Sequence, residues 1–313
     1  MDDKKFMTYD EQIAFLENKK KLIINDKNTA LSLLKQYSYF ALINGYKHPF
    51  KDKNGFYKPK TSINDIYLLY CFDNHIRYLF LQRIMEVETH IKSLISYAFA
   101  DKFGELETSY LDATNYNYSN IVYQSGINRS IQILTDILND YESYPYMKHQ
   151  KEQHGNIPPW VIMKALTLGN ISKIYSYQQP SIQTVISKEF TGVSEGDLQA
   201  FLDLLTRFRN VCAHNERLFD YRYNKRSINN MKIHKDLNIP KKKNRYIKGK
   251  SDLFASLIAL KYLQEKETFH KLVDNIEDAI DLLLKNTSQI QRTQLYKYMG
   301  FPENWKTIES LPL

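Results

Sequence analysis

Residues 63–98 read INDIYLLYCFDNHIRYLFLQRIMEVETHIKSLISYA, and this stretch decides the fold. Its apolar side chains recur at steps of three and four residues, as one face of an α-helix requires. The members of this stripe are Leu69, Phe72, Ile76, Phe80, Ile84, Val87, Ile91, Leu94 and Ala98. The spacing predicts one long helix, or two in near-continuity, of about 35 residues that begins after Thr61-Ser62.

Shorter segments with helical spacing lie on both sides of this stretch. On the N-terminal side, helices are expected from Thr8 or Asp10 to about Lys21 and from Asn28 or Thr29 to Leu42. On the C-terminal side, they are expected over Ile127–Tyr141, from Pro158 onward with Trp160, Ile162 and Leu166 as anchors, and over Ile171–Gln178 after a break at Gly169-Asn170. Further helices are expected over Ser194–Leu205, in one long run from Ser251-Asp252, and around Leu295 and Tyr298. Only 10 Gly and 9 Pro are present, whereas an all-β chain needs frequent turns. The fold predicted is an all-α helical bundle.

The basic residues of this chain are concentrated in one segment. The formal net charge is +8, and 11 Lys or Arg against one acid, Asp236, fall within residues 222–250. Such a patch favours a polyanionic partner, most commonly nucleic acid, and a solvated or poorly ordered loop is the alternative. We therefore divide the chain into a helical domain over 1–221, a basic inter-helix loop over 222–250, and C-terminal helices over 251–313 that pack on the same domain.

Several classes of protein do not fit the sequence. Two cysteines, Cys71 and Cys212, provide neither a zinc site nor a disulfide framework. The glycine-rich phosphate loops and the common hydrolase and zinc-protease motifs are missing from the sequence, so no metal or other cofactor is expected. The first residues lack an apolar signal region and no apolar run approaches membrane-spanning length, so we expect a cytoplasmic protein without a membrane partner.

Groups able to handle a phosphate and a proton are densest in RFRNVCAHNER, residues 207–217. Metal-free RNA cleavage could use them, because the ribose 2′-hydroxyl is itself the nucleophile. His214 suits proton transfer, since the unperturbed pKa of histidine is about 6.5. Arg209 suits the phosphate, since a guanidinium stays charged and grips two oxygens. Asn210 is expected to orient the ring or the phosphate.

The spacing of Arg209 and His214 is weak evidence by itself. Arg83 and His90 form a second pair of this kind, within the long helix, where a histidine is more often a packed or surface residue. Residues five apart on a regular helix point about 140° apart, so Arg209 and His214 can share a site only at an irregularity or a helix end. Glu88 and Lys92 are explained by default as a helix-surface ion pair.

At the same cluster the sequence resembles a known family. Arg209-Asn210-Val-Cys-Ala-His214 is similar to the Arg-x4–6-His signature of the HEPN superfamily, and its wider context resembles the AbiD/AbiF-like branch of abortive-infection (Abi) proteins. Further similar stretches are Tyr39–Tyr46, Ile66–Asp73 with Arg77 and Glu88, and Trp160 with Leu166–Ile171. Lys92 departs from the branch pattern, which often has Arg there, so we assign that position no catalytic role.

The resemblance implies a HEPN-like helical bundle and a metal-independent, toxin-like endoribonuclease of phage defence. It further implies a homodimer in which the motifs of two subunits form one composite site, and control by an antitoxin or another partner, such as a structured non-coding RNA. Lys241, Lys242, Lys243 and Arg245, together with Arg217, are the residues expected to bind RNA.

Two other functions compete with catalysis. In one, the chain is a non-catalytic RNA-binding or regulatory HEPN module, and Arg209 and His214 contact RNA or hold a dimer together. In the other, it is a purely structural interaction protein, in which Arg209 caps a helix and the basic segment is disordered.

Overall fold

A computed structural model describes residues 5–313, and these residues form an α-helical protein. The α-helices are α1 Tyr9–Ala14, α2 Lys27–Tyr37, α3 Ile63–Phe103, α4 Glu107–Leu111, α5 Ile121–Asn139, α6 Pro145–His154, α7 Pro159–Ile162, α8 Leu168–Tyr177, α9 Pro180–Ser187, α10 Glu195–Ala213, α11 Lys232–Asp236, α12 Leu253–Leu263, α13 Lys266–Asn286 and α14 Arg292–Met299. Shorter π or 3-10 turns are Phe15–Lys19, Tyr39–Asn44, His48–Phe50, Ala113–Asn115, Tyr141–Ser143, Met163–Ala165 and Trp305–Glu309. The prediction of an all-α fold is confirmed.

The central element is α3, a continuous helix of 41 residues and therefore about 60 Å long. Ser62 and Asp65 form a capping box at its start, and Gly104, with φ 86°, ends it. The two-helix alternative for this stretch is thus wrong. Helices α10 and α13 pack along α3, and α7, α8, α9 and α12 also contact it.

Some helix boundaries differ from the expected ones. Gly169-Asn170 does not interrupt a helix but lies in the first turn of α8, where the Thr167 side chain accepts from the Asn170 N–H. The C-terminal run is two helices rather than one, because the chain turns at Gln264-Glu265. Every residue of α12 is buried, so its apolar pattern has no polar face that would reveal where the helix stops.

The basic segment 222–250 is packed against the bundle rather than being a plain loop. It contains α11 and a hairpin of β1 Lys241–Lys242 and β2 Arg245–Tyr246, in which Lys242 pairs with Arg245. Five of its apolar side chains are buried, namely Ile228, Met231, Ile233, Leu237 and Ile239, whereas Ile247 is exposed. The alternative of a poorly ordered loop therefore does not describe this segment.

Buried His234 holds this segment together. Its Nε2 lies 2.7 Å from the Gly249 carbonyl oxygen, and its Nδ1 accepts from the Met231 N–H at 3.0 Å. Tyr246 stacks on the ring at 4.8 Å between centroids. Burial lowers the pKa of His234, so the neutral imidazole is the form that links the hairpin to α11.

Between residues 5 and 313, no helix combines the length and the apolar character needed to cross a membrane.

Candidate functional site

Helix α10 carries the Arg209–His214 pair and ends at its histidine. The helix starts with a capping box between Ser194 and Asp197, as the sequence predicts. His214 is the C-cap, with φ −94° and ψ 11°, and Asn215 follows with φ 54°. His214 therefore lies at a helix end, the place where the sequence allows the two side chains to share a site, while its N–H still bonds to the Asn210 carbonyl oxygen as within the helix. Both His214 and Asn215 are exposed.

Arg209 lines a cleft of about 430 Å³ between α3, the α7 region and α10. The Nε atom of Arg209 is buried and has no hydrogen-bond partner among the described residues. The cleft is lined by Met85, Glu88, Thr89, Lys92, Ser93, Ser96, Trp160, Met163, Lys164 and Arg209. Three cationic side chains against one carboxylate make it electropositive, as a phosphate site requires. His214 and Asn210 are not among its lining residues.

Glu88 and Lys92 form the expected ion pair, but it belongs to this cleft. Lys92 Nζ lies 2.7 Å from Glu88 Oε1, and the two side chains are only 17% and 12% exposed. The second carboxylate oxygen, Oε2, is buried without a partner. The pair is therefore more than a solvated surface contact, since it fixes one ammonium group at the wall of the cleft.

Trp160 is not the helix anchor that the sequence predicts. Ile162 and Leu166 are buried, with 0% and 3% exposure, whereas Trp160 is 53% exposed and lines the cleft. It follows Pro158-Pro159 at the rigid start of α7, which fixes its backbone. Neither Trp160 nor Lys164 carries a sequence signal that would assign it to the site, because both are far from Arg209 along the chain.

A buried polar network holds the chain just beyond His214. Asp73, fully buried, accepts from Tyr46 Oη at 2.6 Å and from Arg77 Nη1 at 2.7 Å. It also accepts from the backbone N–H groups of Leu218 at 3.1 Å and Phe219 at 2.6 Å. These contacts tie residues 218–219 to α3 and thereby fix the path of the chain after the end of α10.

The protonation states in this network follow from its donors. Burial raises the pKa of Tyr46, and the neighbouring Asp73 raises it further, so the phenol stays protonated and donates. Burial also raises the pKa of Asp73, whereas Arg77 and the hydrogen bonds lower it. Four donors converge on Asp73, so the ionised carboxylate is the form that fits this arrangement.

Cys212 is not a nucleophile. It lies in the last turn of α10, and burial raises the pKa of its thiol to about 12. The thiol therefore stays protonated near neutral pH. Within the described part of the chain, no three His, Cys, Asp or Glu side chains are grouped so that they could hold a metal ion.

The competing pair, Arg83 and His90, is occupied by structural contacts. Arg83 Nη1 donates to both carboxylate oxygens of Glu86, at 2.9 and 2.8 Å. His90 packs edge-on against Phe190, with 5.5 Å between ring centroids. These contacts fit the expectation that a histidine within the long helix is a packed or surface residue.

The residues expected to bind RNA lie in two different places. Lys241 lies over the Tyr246 ring at 4.5 Å, Arg245 donates to Ser227 Oγ at 3.1 Å, and Lys242 and Lys243 are exposed at the turn. Arg217 lies beside His214 in sequence, but its guanidinium is engaged with Asp220 and the Gly45 carbonyl.

The basic hairpin lies toward the opposite end of α10 from His214. Its neighbour Ser227 shares a small pocket with Asp203, and Asn229 donates to Asp197 at 2.7 Å. His214 follows Asp203 and Asp197 by 11 and 17 residues, which corresponds to about 16–26 Å along the helix. A single RNA strand would have to run along α10 to reach both.

The comparisons with known proteins agree with the resemblance seen in the sequence. The family described as "Abi-like protein" matches residues 32–220. This match spans α3, the cleft, the Asp73 network and the whole of α10. The searches of curated proteins and of solved structures returned no match. Because the family match covers more than half of the chain, this protein belongs to the Abi-like protein family, whose general role is abortive infection in phage defence.

Proposed function

We propose that this chain is a metal-independent endoribonuclease of phage defence that cleaves RNA by attack of the ribose 2′-hydroxyl. The observation that carries the proposal is the position of Arg209, which lines an electropositive cleft one turn before the helix end occupied by exposed His214. The membership of the Abi-like family supports a toxic activity in defence. The matched region includes both residues.

The chemistry needs a base, an acid and a cation, and the chain offers each type of group. The 2′-oxygen forms a bond to phosphorus as its proton passes to one histidine, and the bond from phosphorus to the 5′-oxygen breaks as that oxygen takes a proton from a second histidine. We assign to Arg209 the stabilisation of the negative charge that develops on the phosphate in the transition state. We assign to Asn210 the orientation of the reacting groups. Each protein molecule contributes one His214.

A second copy of the chain would provide the second histidine. The attacking 2′-oxygen and the leaving 5′-oxygen lie on opposite sides of the phosphorus, so one His214 ring is poorly placed to act as base toward the first and as acid toward the second. His214 is exposed at a helix end rather than enclosed in the cleft, which leaves it accessible to a partner subunit. A composite homodimeric site is therefore part of the proposal.

The basic hairpin is assigned to RNA binding at a distance from the reaction. Lys242 and Lys243 are exposed, and the hairpin is held in place by His234 and Tyr246. Its separation from His214 favours a second candidate function, an RNA-binding or regulatory module that holds a structured RNA without cleaving it. In that case Arg209 would bind RNA and His214 would transfer no proton.

Cleavage of end-labelled RNA in excess EDTA distinguishes the two functions. The expected result is cleavage by the wild-type protein and at least about a hundredfold loss in His214→Ala and Arg209→Ala. His90→Ala is the matched control, because it removes the histidine of the competing pair, and it should cleave normally. Equal cleavage by wild type and His214→Ala would exclude the assigned role, and binding without cleavage by any variant would favour the regulatory module.

A further inference from the structure

We propose that the cleft beside Arg209 is a nucleotide-binding subsite, in which Trp160 stacks on an unpaired base of single-stranded RNA and the surrounding cations hold the adjoining phosphates. This inference rests on the proposed function for the identity of the polymer. It goes further in naming the residues that bind the nucleotide and the class of substrate, unpaired RNA.

The first support is the exposure of Trp160. A tryptophan that packs in a core is seldom left half exposed, and the other tryptophan of this chain, Trp305, is only 1% exposed. Pro159 and Ile162, on either side of Trp160 in α7, are buried, so the backbone beneath the ring is fixed. A rigid aromatic ring presented to solvent is the platform on which unstacked bases bind, whatever their sequence.

The second support is the charge that surrounds the ring. Lys92, Lys164 and Arg209 line the same cleft as Trp160. Lys92 is held by Glu88 at 2.7 Å, and Lys164 Nζ lies 4.4 Å from the centroid of the Tyr146 ring. Two of the three cations are thus held in place at the cleft that Trp160 also lines. An aromatic ring among fixed cations matches one nucleotide, which has an apolar face and an anionic backbone.

The third support is the size and the polarity of the cleft. Its volume of about 430 Å³ lies within the range of small-molecule sites. Thr89, Ser93 and Ser96 also lie along the α3 wall. The Thr89 and Ser96 hydroxyls donate to carbonyl oxygens of α3, so their oxygen atoms remain as acceptors for a sugar hydroxyl or a base N–H. Base-paired RNA presents its base faces only to neighbouring bases, so stacking on Trp160 requires an unpaired strand.

The test uses a ten-nucleotide 2′-fluoro RNA in EDTA, which cannot be cleaved through a 2′-hydroxyl, and an abasic strand of equal length and charge. Binding of the first strand should quench tryptophan emission, and the quenching should vanish in Trp160→Phe because Trp305 is buried. Trp160→Ala should weaken binding of the base-containing strand roughly tenfold and of the abasic strand less than twofold. Trp160→Tyr should restore most of the loss.

Phe40→Ala is the matched control, since Phe40 is an aromatic side chain that is 78% exposed outside the cleft, and its binding should equal that of wild type. Equal weakening of both strands by Trp160→Ala, or the absence of quenching, would overturn the subsite. Emission that changes with protein concentration but not with the strand would also overturn it, because Trp160 would then lie in a contact between two copies. The strand is uncleavable, so these results are independent of whether RNA cleavage itself is observed.

Discussion

The buried Asp73–Arg77 pair offers a quantitative test of how the end of α10 is held. Asp73→Ala removes the carboxylate that accepts from Arg77 and Tyr46 and from two backbone N–H groups. Arg77 is 3% exposed at its side chain, so its charge cannot reach water without a local rearrangement. The variant leaves the Tyr46 hydroxyl and two buried amides without their acceptor. It also leaves the Arg77 charge without its carboxylate, with only neutral oxygen atoms as acceptors.

The expected cost follows from these orphaned groups. Breaking a buried ion pair by removing one partner costs about 3–5 kcal/mol, and each buried donor left unsatisfied adds about 1–3 kcal/mol, less where water can enter. We therefore expect Asp73→Ala to lower the free energy of unfolding by at least about 4 kcal/mol, against a total near 5–15 kcal/mol for a typical domain. The double variant Asp73→Ala/Arg77→Met should lose less than Asp73→Ala alone, because no unpaired charge remains buried.

Urea unfolding, monitored by far-UV circular dichroism, measures both values. Glu152→Ala is the matched control, since Glu152 and Lys148 have the same four-residue spacing on an exposed helix surface at 3.9 Å, and it should change the free energy of unfolding by less than about 0.5 kcal/mol. A loss below about 1.5 kcal/mol for Asp73→Ala, or a larger loss for the double variant than for Asp73→Ala, would refute the reasoning.

Three further predictions concern other parts of the molecule. Lys242→Ala/Lys243→Ala should weaken RNA binding and reduce its salt dependence, whereas Lys306→Ala, an exposed control, should not; unchanged binding would remove the hairpin from the RNA surface. Burial raises the pKa of Asp252 to about 6, so the folded protein binds a proton there at a higher pH than the unfolded chain does. The free energy of unfolding of wild type should therefore rise by roughly 1 kcal/mol more than that of Asp252→Asn between pH 7 and pH 5, and parallel pH profiles would contradict this. Gly300→Ala should lower the thermal midpoint, because φ is +78° and the new Cβ would lie 2.4 Å from Asp252 Cγ, at a cost of about 1 kcal/mol or more; an unchanged midpoint would contradict the close contact.

The fold could be predicted largely from helical periodicity. The apolar steps of residues 63–98 predict α3 and its buried face, and Ser62 and Ser194 predict the starts of α3 and α10, all of which the structure confirms. Helical periodicity does not predict a helix boundary where the helix has no polar face. Helix α12 is buried on all sides, so its end at Leu263 leaves no trace in the spacing of apolar residues.

The basic segment shows a different limit of sequence analysis. Its charge predicts a solvated surface, and Lys241, Lys242 and Lys243 are indeed exposed. The buried residues between the charges do not follow one period, because α11 is only five residues long. They are Ile228, Met231, Ile233, Leu237 and Ile239, at steps of 3, 2, 4 and 2 residues. The packing of this segment therefore cannot be predicted from its charge, because it depends on contacts with α10 and α12.

The candidate site could be predicted only in part. The sequence selects Arg209, Asn210 and His214 as candidates and favours them over Arg83 and His90. It does not indicate that Trp160, Lys92 and Lys164 lie near Arg209, because these residues belong to separate elements that meet at the cleft only in the packed bundle. Nor does it show that Asp73 binds the backbone beyond His214, since that contact joins residues 145 positions apart.

The chemical end group of the RNA product tests the central claim most directly. Attack by the 2′-hydroxyl must leave a 2′,3′-cyclic phosphate on the upstream fragment, and it cannot occur in a strand whose riboses are all replaced by deoxyribose. Mass spectrometry of fragments made in EDTA should therefore show cyclic phosphate termini with wild type and no fragments with His214→Ala. Products with free 3′-hydroxyl termini, cleavage of the all-deoxy strand, or no cleavage of any RNA would contradict the account.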